Sequence, residues 1–308
     1  MFENLKLDFR IDSIAPGRDV YDENTGEILD PTQVEAARAL QIELINKMGV
    51  WKIGPWPPKG SPTKVVRGRW VDIDKGKIYG SRFVAMEIKG GVKSVFAPEF
   101  FAAMPPLSSS KFLCILVVAQ YFHAADGKLL SIADPALIFI DVRRAHFVSW
   151  ARRDIAVELP EELGKPGEDL VGYLEKAVYG TRDAAACWAT EVVRVFVTVL
   201  GFTQGKANPC RFSHAGKQTR ASVHGDDVEA FSSYDKLVWL RQSLEKEWMI
   251  EYKGILAPPG RRDSIQEVSH LRRTLRWATK VIEWEHDRKH IDRILQFTGS
   301  QGSHMAVQ

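Results

Sequence analysis

The chain has 308 residues, a formal net charge of +3, 45% hydrophobic residues and 26% charged residues. That length admits a sizeable core or two to three subdomains, and the composition is ordinary for a globular chain. The small net charge excludes a global electrostatic argument for nucleic-acid binding, so local basic clusters must carry any such claim.

Cys114, Cys187 and Cys210 are odd in number, widely spaced and without zinc-like spacing, which points to a reducing compartment. No run reaches the roughly 18 apolar residues of a membrane span, and no signal-peptide apolar region opens the chain. The expectation is an intracellular protein, cytoplasmic or nuclear, with no membrane partner.

Residues up to about Asp30 are charged and turn-rich and read as an irregular lead. Pro31 opens a helix in which Val34, Ala37, Leu40, Leu44 and Met48 recur at helical spacing, and Gly49 stops it. Trp56–Pro62 is a loop. Lys64–Asp74 and Ile78–Ile88 predict a hairpin across Lys75-Gly76-Lys77, with Lys64, Arg67, Arg69 and Arg82 as its basic residues. Phe96–Pro106 reads as a packed loop or short helix. Ser108-Ser109-Ser110 caps an apolar helix over Lys111–Phe122, and Asp126-Gly127-Lys128 turns into the next strand.

That strand, Ala136–Val142, is apolar at nearly every position and carries Asp141 near its end. Such a run predicts a strand buried on both faces. A charge placed there must be paired, hydrogen-bonded or metal-bound. Basic residues follow at Arg143, Arg144, Arg152 and Arg153. Ile155–Pro160 is a short strand, Lys165–Asp169 a surface turn, and Thr181–Leu200 a helix with Ala184, Cys187, Trp188, Val192, Phe196, Val199 and Leu200 on one face.

Thr219–Val223 and Val228–Phe231 predict a second hairpin, with His224-Gly225-Asp226-Asp227 at its tip. Tyr234–Trp248 is an amphipathic helix and Met249–Leu256 a strand. Val268–Trp277 and Val281–Trp284 suggest a third hairpin bearing Arg272, Arg273 and Arg276. Arg288–Phe297 begins a last helix, and Thr298–Gln308 is a tail.

A strand ending in Asp141 and a hairpin tip carrying Asp226 and Asp227 can hold two divalent cations for in-line phosphoryl transfer. On spacing alone, Asp141 serves equally as a cap for the next segment, and an Asp-Asp pair serves as a solvated turn.

Three ordered stretches carry a family resemblance. Asp141-Val142-Arg143-Arg144-Ala145-His146 resembles Asp-Val-Lys-x-Ala-Phe. Leu174–Trp188, with Tyr179-Gly180-Thr181-Arg182-Asp183-Ala184-Ala185 inside it, resembles Leu-x-x-Ser-Leu-Tyr-Gly-Leu-Lys-Gln-Ala-Pro-x-x-Trp. His224-Gly225-Asp226-Asp227 stands for Tyr-Val-Asp-Asp. Over residues 30–295 the chain is similar to the reverse transcriptase of copia-type LTR retrotransposon Pol polyproteins.

The resemblance implies an α+β right-hand polymerase fold with fingers, a βαββαβ palm and a truncated thumb. It places the lead and first helix in 1–50, the fingers in 51–123 and 150–173, the palm in 124–149 and 174–285, and the start of the thumb in 286–308. It implies that Asp141, Asp226 and Asp227 are catalytic and hold two Mg²⁺ or Mn²⁺ ions. Arg82, Val142, His146, Tyr179, Gly180 and Arg182 would face a deoxynucleoside triphosphate. His224, Arg143, Arg144 and Arg272 would face an RNA or DNA template–primer.

His146 stands where the family has a ring that excludes a 2′-hydroxyl. Asp183 and Ala185 replace its Gln and Pro. The alternative is a catalytically inactive retroelement remnant that at most binds nucleic acid.

Overall fold

The computed structural model describes residues 19–87, 100–123, 128–163, 169–261, 263–279, 281–286 and 288–298. The expected lead up to Arg18, the first residues of Phe96–Pro106, the turn through Asp126 and Gly127, the turn through Lys165–Glu168 and the tail from Gly299 onward lie outside these residues. No helix among the described residues is long and apolar enough to cross a membrane.

In chain order the first elements are α1 (Pro31–Lys47), β1 (Trp51–Pro55), β2 (Lys64–Val66), β3 (Gly68–Asp74), β4 (Tyr79–Ala85) and α2 (Ser108–Ala119). There follow β5 (Tyr121–His123), β6 (Leu129–Ser131), β7 (Pro135–Val142), α3 (Ala145–Val148), β8 (Ile155–Glu158) and β9 (Leu170–Leu174). Next come α4 (Ala184–Val193), β10 (Thr203–Gln204), β11 (Arg211–His214), β12 (Thr219–His224), β13 (Asp227–Ser233) and α5 (Tyr234–Glu247). The last are β14 (Ile250–Leu256), β15 (Glu267–His270), β16 (Arg273–Ala278), β17 (Val281–His286) and α6 (Arg288–Thr298).

These elements form two compact units, one of Met1–Ala102 with Arg144–Val192, the other of Ala103–Arg143 with Val193–Gln308. Residues 103–123 belong with the second unit, where α2 packs on β7 and β13, and residues 174–192 with the first.

In the first unit α1 starts where expected. Asp30 Oδ1 accepts from the Gln33 N–H at 3.1 Å, satisfying a free donor of the first turn. Its inner face is Val34, Gln41, Ile42 and Ile45, whereas Leu40, expected on that face, is 67% exposed. The stripe is rotated because Arg38 turns inward to Asp72 at 2.7 Å and Glu162 at 3.0 Å, a charged member that apolar periodicity does not register. The predicted hairpin is present as β3 and β4, with Gly68 opposite Ala85 and Asp74 opposite Tyr79. Lys64–Val66 departs from it as β2, parallel to β8 in a sheet of order β1-β9-β8-β2. Ile42, Ile45, Trp51, Phe83, Phe147 and Val157 share the core of this unit.

The second unit is built on a sheet of order β10-β11-β12-β13-β7-β14. β7 lies between β13 and the edge strand β14 and is buried on both faces except at Asp141, as the apolar run predicts. β13 and β14 are each antiparallel to β7 and so parallel to one another, as the helical crossover through α5 requires. Leu237, Leu240 and Leu244 of α5 are fully buried, and α5 packs on β7, β13 and β14. The other face presents Leu137, Phe139 and Phe231 to Leu113 and Val117 of α2.

Helix α2 begins at Ser108, three residues before the expected start, and no serine caps it. Ser109 and Ser110 are instead buried in its first turn, with polar partners described below. Thr181–Leu200 is α-helical only from Ala184 and turns π-helical over Arg194–Val199, with Val199 exposed. The stretch Val268–Trp277, read as one strand, folds back at Leu271-Arg272 to give β15 and β16, and β17 completes a three-stranded sheet.

Candidate metal centre

Asp141 lies next to the end of β7, and Asp227 opens β13 directly opposite it. Register partners on adjacent strands share a face, so the two carboxylates project to the same side. Asp226 occupies the tight turn between β12 and β13, where Gly225 takes φ +63°. The Val142 N–H donates to the Asp226 carbonyl at 2.8 Å and ties the turn to β7. One oxygen from each of Asp141, Asp226 and Asp227 lies within 4.8 Å of the others. The three residues predicted from the sequence as ligands are therefore brought together.

Their charges are only partly compensated. Burial, then the Asp226 charge, holds the Asp141 carboxyl above the usual aspartate range, while Lys253 pulls it down. Lys253 on β14 places Nζ 2.6 Å from Asp227 Oδ1 and 3.9 Å from Asp141 Oδ2. Glu251, opposite Asp141 in register, pairs with Arg143 at 3.0 Å.

A second polar layer lies beneath. Glu229, two residues beyond Asp227 and on the same face, is buried and accepts from the Ser110 hydroxyl at 2.5 Å. The buried His270 ring has Nε2 3.2 Å from Glu229 Oε2 and Nδ1 3.7 Å from Asp227 Oδ1, although neither approach is aligned as a hydrogen bond. The ring packs against Phe139 with centroids 4.9 Å apart.

Sequence reasoning did not find Lys253, Glu229, Ser110 or His270. Only Glu229 left a signal, as a charge between Val228 and Ala230 two residues from Asp227.

The other predicted residues of this unit are placed as follows. Val142 is fully buried, and its N–H is already taken by Asp226. His224 is half-buried, opposite Asp227. Arg272 is exposed at the β15–β16 turn with φ +57°. Arg276, carried with Arg272 and Arg273 on the third hairpin, is held by Glu267 and by Glu285, the latter at 3.1 Å. Its charge is met within the hairpin.

The remaining predicted residues belong to the first unit. His146 sits edge-on to Tyr179, with centroids 4.4 Å apart and planes at 71°. The exposed Arg82 guanidinium lies 5.6 Å from the Tyr179 ring centre. These three side chains are thus clustered. Arg144, with φ +59°, precedes α3.

Gly180 has a structural reason of its own. At φ +89° a Cβ would lie 1.8 Å from the Ala85 carbonyl oxygen, where Ala85 N–H donates to the Tyr179 carbonyl at 2.7 Å. Its freedom serves this backbone crossing.

Arg182 stacks 4.2 Å from the Phe100 ring centre, and its backbone N–H donates to Glu87 Oε2 at 2.8 Å. Asp183 immediately precedes α4 and pairs with Arg153 at 2.6 Å. Arg153 also forks onto Glu87 at 2.9 and 2.7 Å, and Lys64 adds a contact of 2.9 Å. Arg153, one of the basic residues that follow Asp141 in the sequence, is committed to this buried pair. Its hydrogen bonds, with those from Lys64 and the Arg182 backbone, outweigh burial and lower the Glu87 carboxyl to about 2.

No family model matches the chain, and no curated protein matches it. Among solved structures it is similar to a foamy viral protease-reverse transcriptase in complex with dsDNA, at 13% identity and TM-score 0.44, covering 94% of this chain and 49% of that one. It is also similar to telomerase from Candida albicans in complex with a fragment of telomeric RNA, at 8% identity and TM-score 0.48, covering 86% and 52%. A further foamy viral protease-reverse transcriptase structure, with ds DNA, gives 13% identity and TM-score 0.41, covering 79% and 34%. The chain thus spans between about a third and a half of the length of each.

Proposed function

We propose that the chain is an RNA-directed DNA polymerase of the copia retrotransposon type, in which a primer 3′-oxygen attacks the α-phosphorus of a deoxynucleoside triphosphate and pyrophosphate leaves. The observation that carries this reading is the convergence of one oxygen each from Asp141, Asp226 and Asp227 within 4.8 Å, at the end of the buried strand β7. Three hard oxygen donors suit Mg²⁺ or Mn²⁺ rather than a soft metal, so these residues would hold the two cations the reaction class uses. When bound, such cations supply electrostatic stabilisation of the charge that develops on the phosphoryl oxygens. Asp141 and Asp226 are the principal ligands in this reading, and Asp227 orients them.

In the same reading the second unit's sheet is the palm, the β3–β4 hairpin belongs to the fingers, and residues from Arg288 begin the thumb. Arg82 supplies a planar donor for the triphosphate. The His146 ring, braced by Tyr179, takes the position that distinguishes deoxyribose from ribose. Arg143, Arg144, Arg272 and His224 track the template–primer.

A second reading, a folded module that binds nucleic acid without turnover, is favoured by the Lys253–Asp227 ion pair of 2.6 Å, which already provides one carboxylate with a cation.

The deciding experiment is single-nucleotide extension of a primed RNA template with Mg²⁺ or Mn²⁺, beside an Asp226→Ala variant. Extension by the wild type alone supports the polymerase. Absence of extension by folded protein that binds the template–primer selects the non-catalytic module, and extension by the variant removes Asp226 from the site.

A further inference from the structure

The sheet face that carries Asp141 and Asp227 does not end at β13. Glu229 is opposite Ser222 and Phe231 opposite Arg220, while Ser222 is in turn opposite Arg211 on β11. Arg211, Arg220 and Ser222 therefore share the face of Asp227 and Glu229. There the face opens into a groove of about 480 Å³, walled by α2 and by the segment leading from β10 to β11. That volume lies within the range of roughly 300–1,000 Å³ typical of small-ligand sites.

The wall has one sign of charge. Lys206, Arg211 and Arg220 line the groove, and among the described residues that line it there is no carboxylate. Both guanidiniums are laid over rings, Arg211 at 5.0 Å from the Phe112 centre and Arg220 at 4.7 Å from that of Phe122. Arg211 Nε and one terminal nitrogen donate to Ser109 Oγ at 3.2 and 3.1 Å, and Asn208 Nδ2 donates to the same oxygen at 3.3 Å. A neutral hydroxyl thus orients the guanidinium without cancelling its charge.

We propose that this groove is a second nucleic-acid subsite, taking one nucleoside phosphate unit of a single strand, with the base against the Phe112–Arg211 stack and the phosphate on Arg211 and Lys206. Planar guanidinium over aromatic faces in a basic groove is the chemistry that holds single strands without sequence preference. From a strand spacing of about 4.8 Å and a rise of about 3.3 Å per residue, Arg211 lies roughly 12 Å from Asp227 across the sheet. A strand held at the carboxylates can therefore continue into the groove. The proposal rests on nucleic acid being the partner, as in the reading above, but not on turnover.

The test is fluorescence anisotropy of a labelled single-stranded oligonucleotide in EDTA, comparing wild type, Arg211→Gln, Lys206→Gln and, as a charge-matched control on the exposed side of α5, Lys246→Gln. Circular dichroism and melting temperature check the fold of each. The expected result is at least about fivefold weaker binding by each groove variant, with a salt dependence shallower by about one in log–log slope, and unchanged binding by Lys246→Gln. Arg211→Lys should keep the salt slope while losing affinity.

Photocrosslinks from the bound strand should map to residues 203–213. Competition by a mononucleotide assigns the site to free nucleotides as well as strands, and its absence assigns it to strands alone.

Wild-type binding that both groove variants retain, with no crosslink in 203–213, overturns the proposal and leaves the polymerase reading standing. Equal Arg211-dependent binding of an acidic peptide also overturns it, by reducing the groove to a general anion surface. Failed primer extension with intact groove-dependent binding would count against the polymerase alone.

Discussion

The Lys253 ammonium lies 2.6 Å from one oxygen of Asp227 and 3.9 Å from one of Asp141. It is a built-in cation at the edge of a cluster that calls for cations. Lys253→Met should lower stability in EDTA by about 1–2 kcal/mol, since it strips a charge-assisted contact from partly buried carboxylates. The same variant should bind Mn²⁺ more tightly, because the internal competitor is gone. Melting curves with and without Mn²⁺ check both halves. A variant whose stability and Mn²⁺ affinity both match the wild type would remove Lys253 from the electrostatics of the site.

Asp141 makes the opposite prediction. Its carboxyl is held above the usual aspartate range, first by burial and then by Asp226. A carboxyl with a higher pKa folded than unfolded binds its proton more tightly in the fold. Its charge therefore costs stability progressively as pH rises from the ordinary aspartate value through the raised one, and fully above it. Asp141→Asn should melt higher than wild type near neutral pH in EDTA, by about 0.5–2 kcal/mol, and the advantage should vanish in acid. A divalent cation should narrow the gap by stabilising the wild type alone.

Glu87 gives the conventional sign. Its side chain is 1% exposed, and its carboxyl lies at about 2 rather than 4.5. The stability it contributes is present above the ordinary glutamate value and is lost as pH falls from there through about 2. The shift corresponds to roughly 3 kcal/mol. Glu87→Gln should destabilise by about that amount near neutral pH and flatten the acid limb of the stability curve, as urea melts across pH would record.

Gly180 should tolerate no side chain. Alanine there would meet the Ala85 carbonyl oxygen at 1.8 Å from a backbone at φ +89°. Gly180→Ala should cost roughly 2–4 kcal/mol. Gly225→Ala is the natural contrast, because at φ +63° its Cβ meets nothing within 4 Å. It should cost only about 1 kcal/mol. Equal losses would mean that backbone conformation alone, not the crossing with Ala85, sets the requirement at Gly180.

What the sequence made legible was local. The apolar run into Asp141, the Asp-Asp hairpin and the Leu237, Leu240, Leu244 stripe of α5 each announce themselves within one element. What it hid depends on distant partners. Trp51–Pro55 is a strand only because it pairs with Leu170–Leu174, β1 with β9, more than a hundred residues along the chain, and β9 is itself held between β1 and β8. Arg38 reads as a surface residue until Asp72 and Glu162 face it. Lys253 and His270 reach the carboxylates from β14 and β15, and neither carries a motif. The polar character of Glu229 was visible, but its purpose needed Ser110 and His270 beside it.

Neither compact unit is contiguous in the chain, which passes between them after Ala102, Arg143 and Val192. On the ribosome, the first unit cannot close until β9 and the start of α4 have emerged. The second has already contributed β7, whose partners β13 and β14 are made much later. During that interval the most apolar strand of the protein waits with both hydrogen-bonding edges open, and such edges recruit other chains. Nascent chains arrested before β13 should therefore aggregate or require a holdase, and the yield of folded protein should depend on how fast the ribosome covers the distance between Val142 and Ile250.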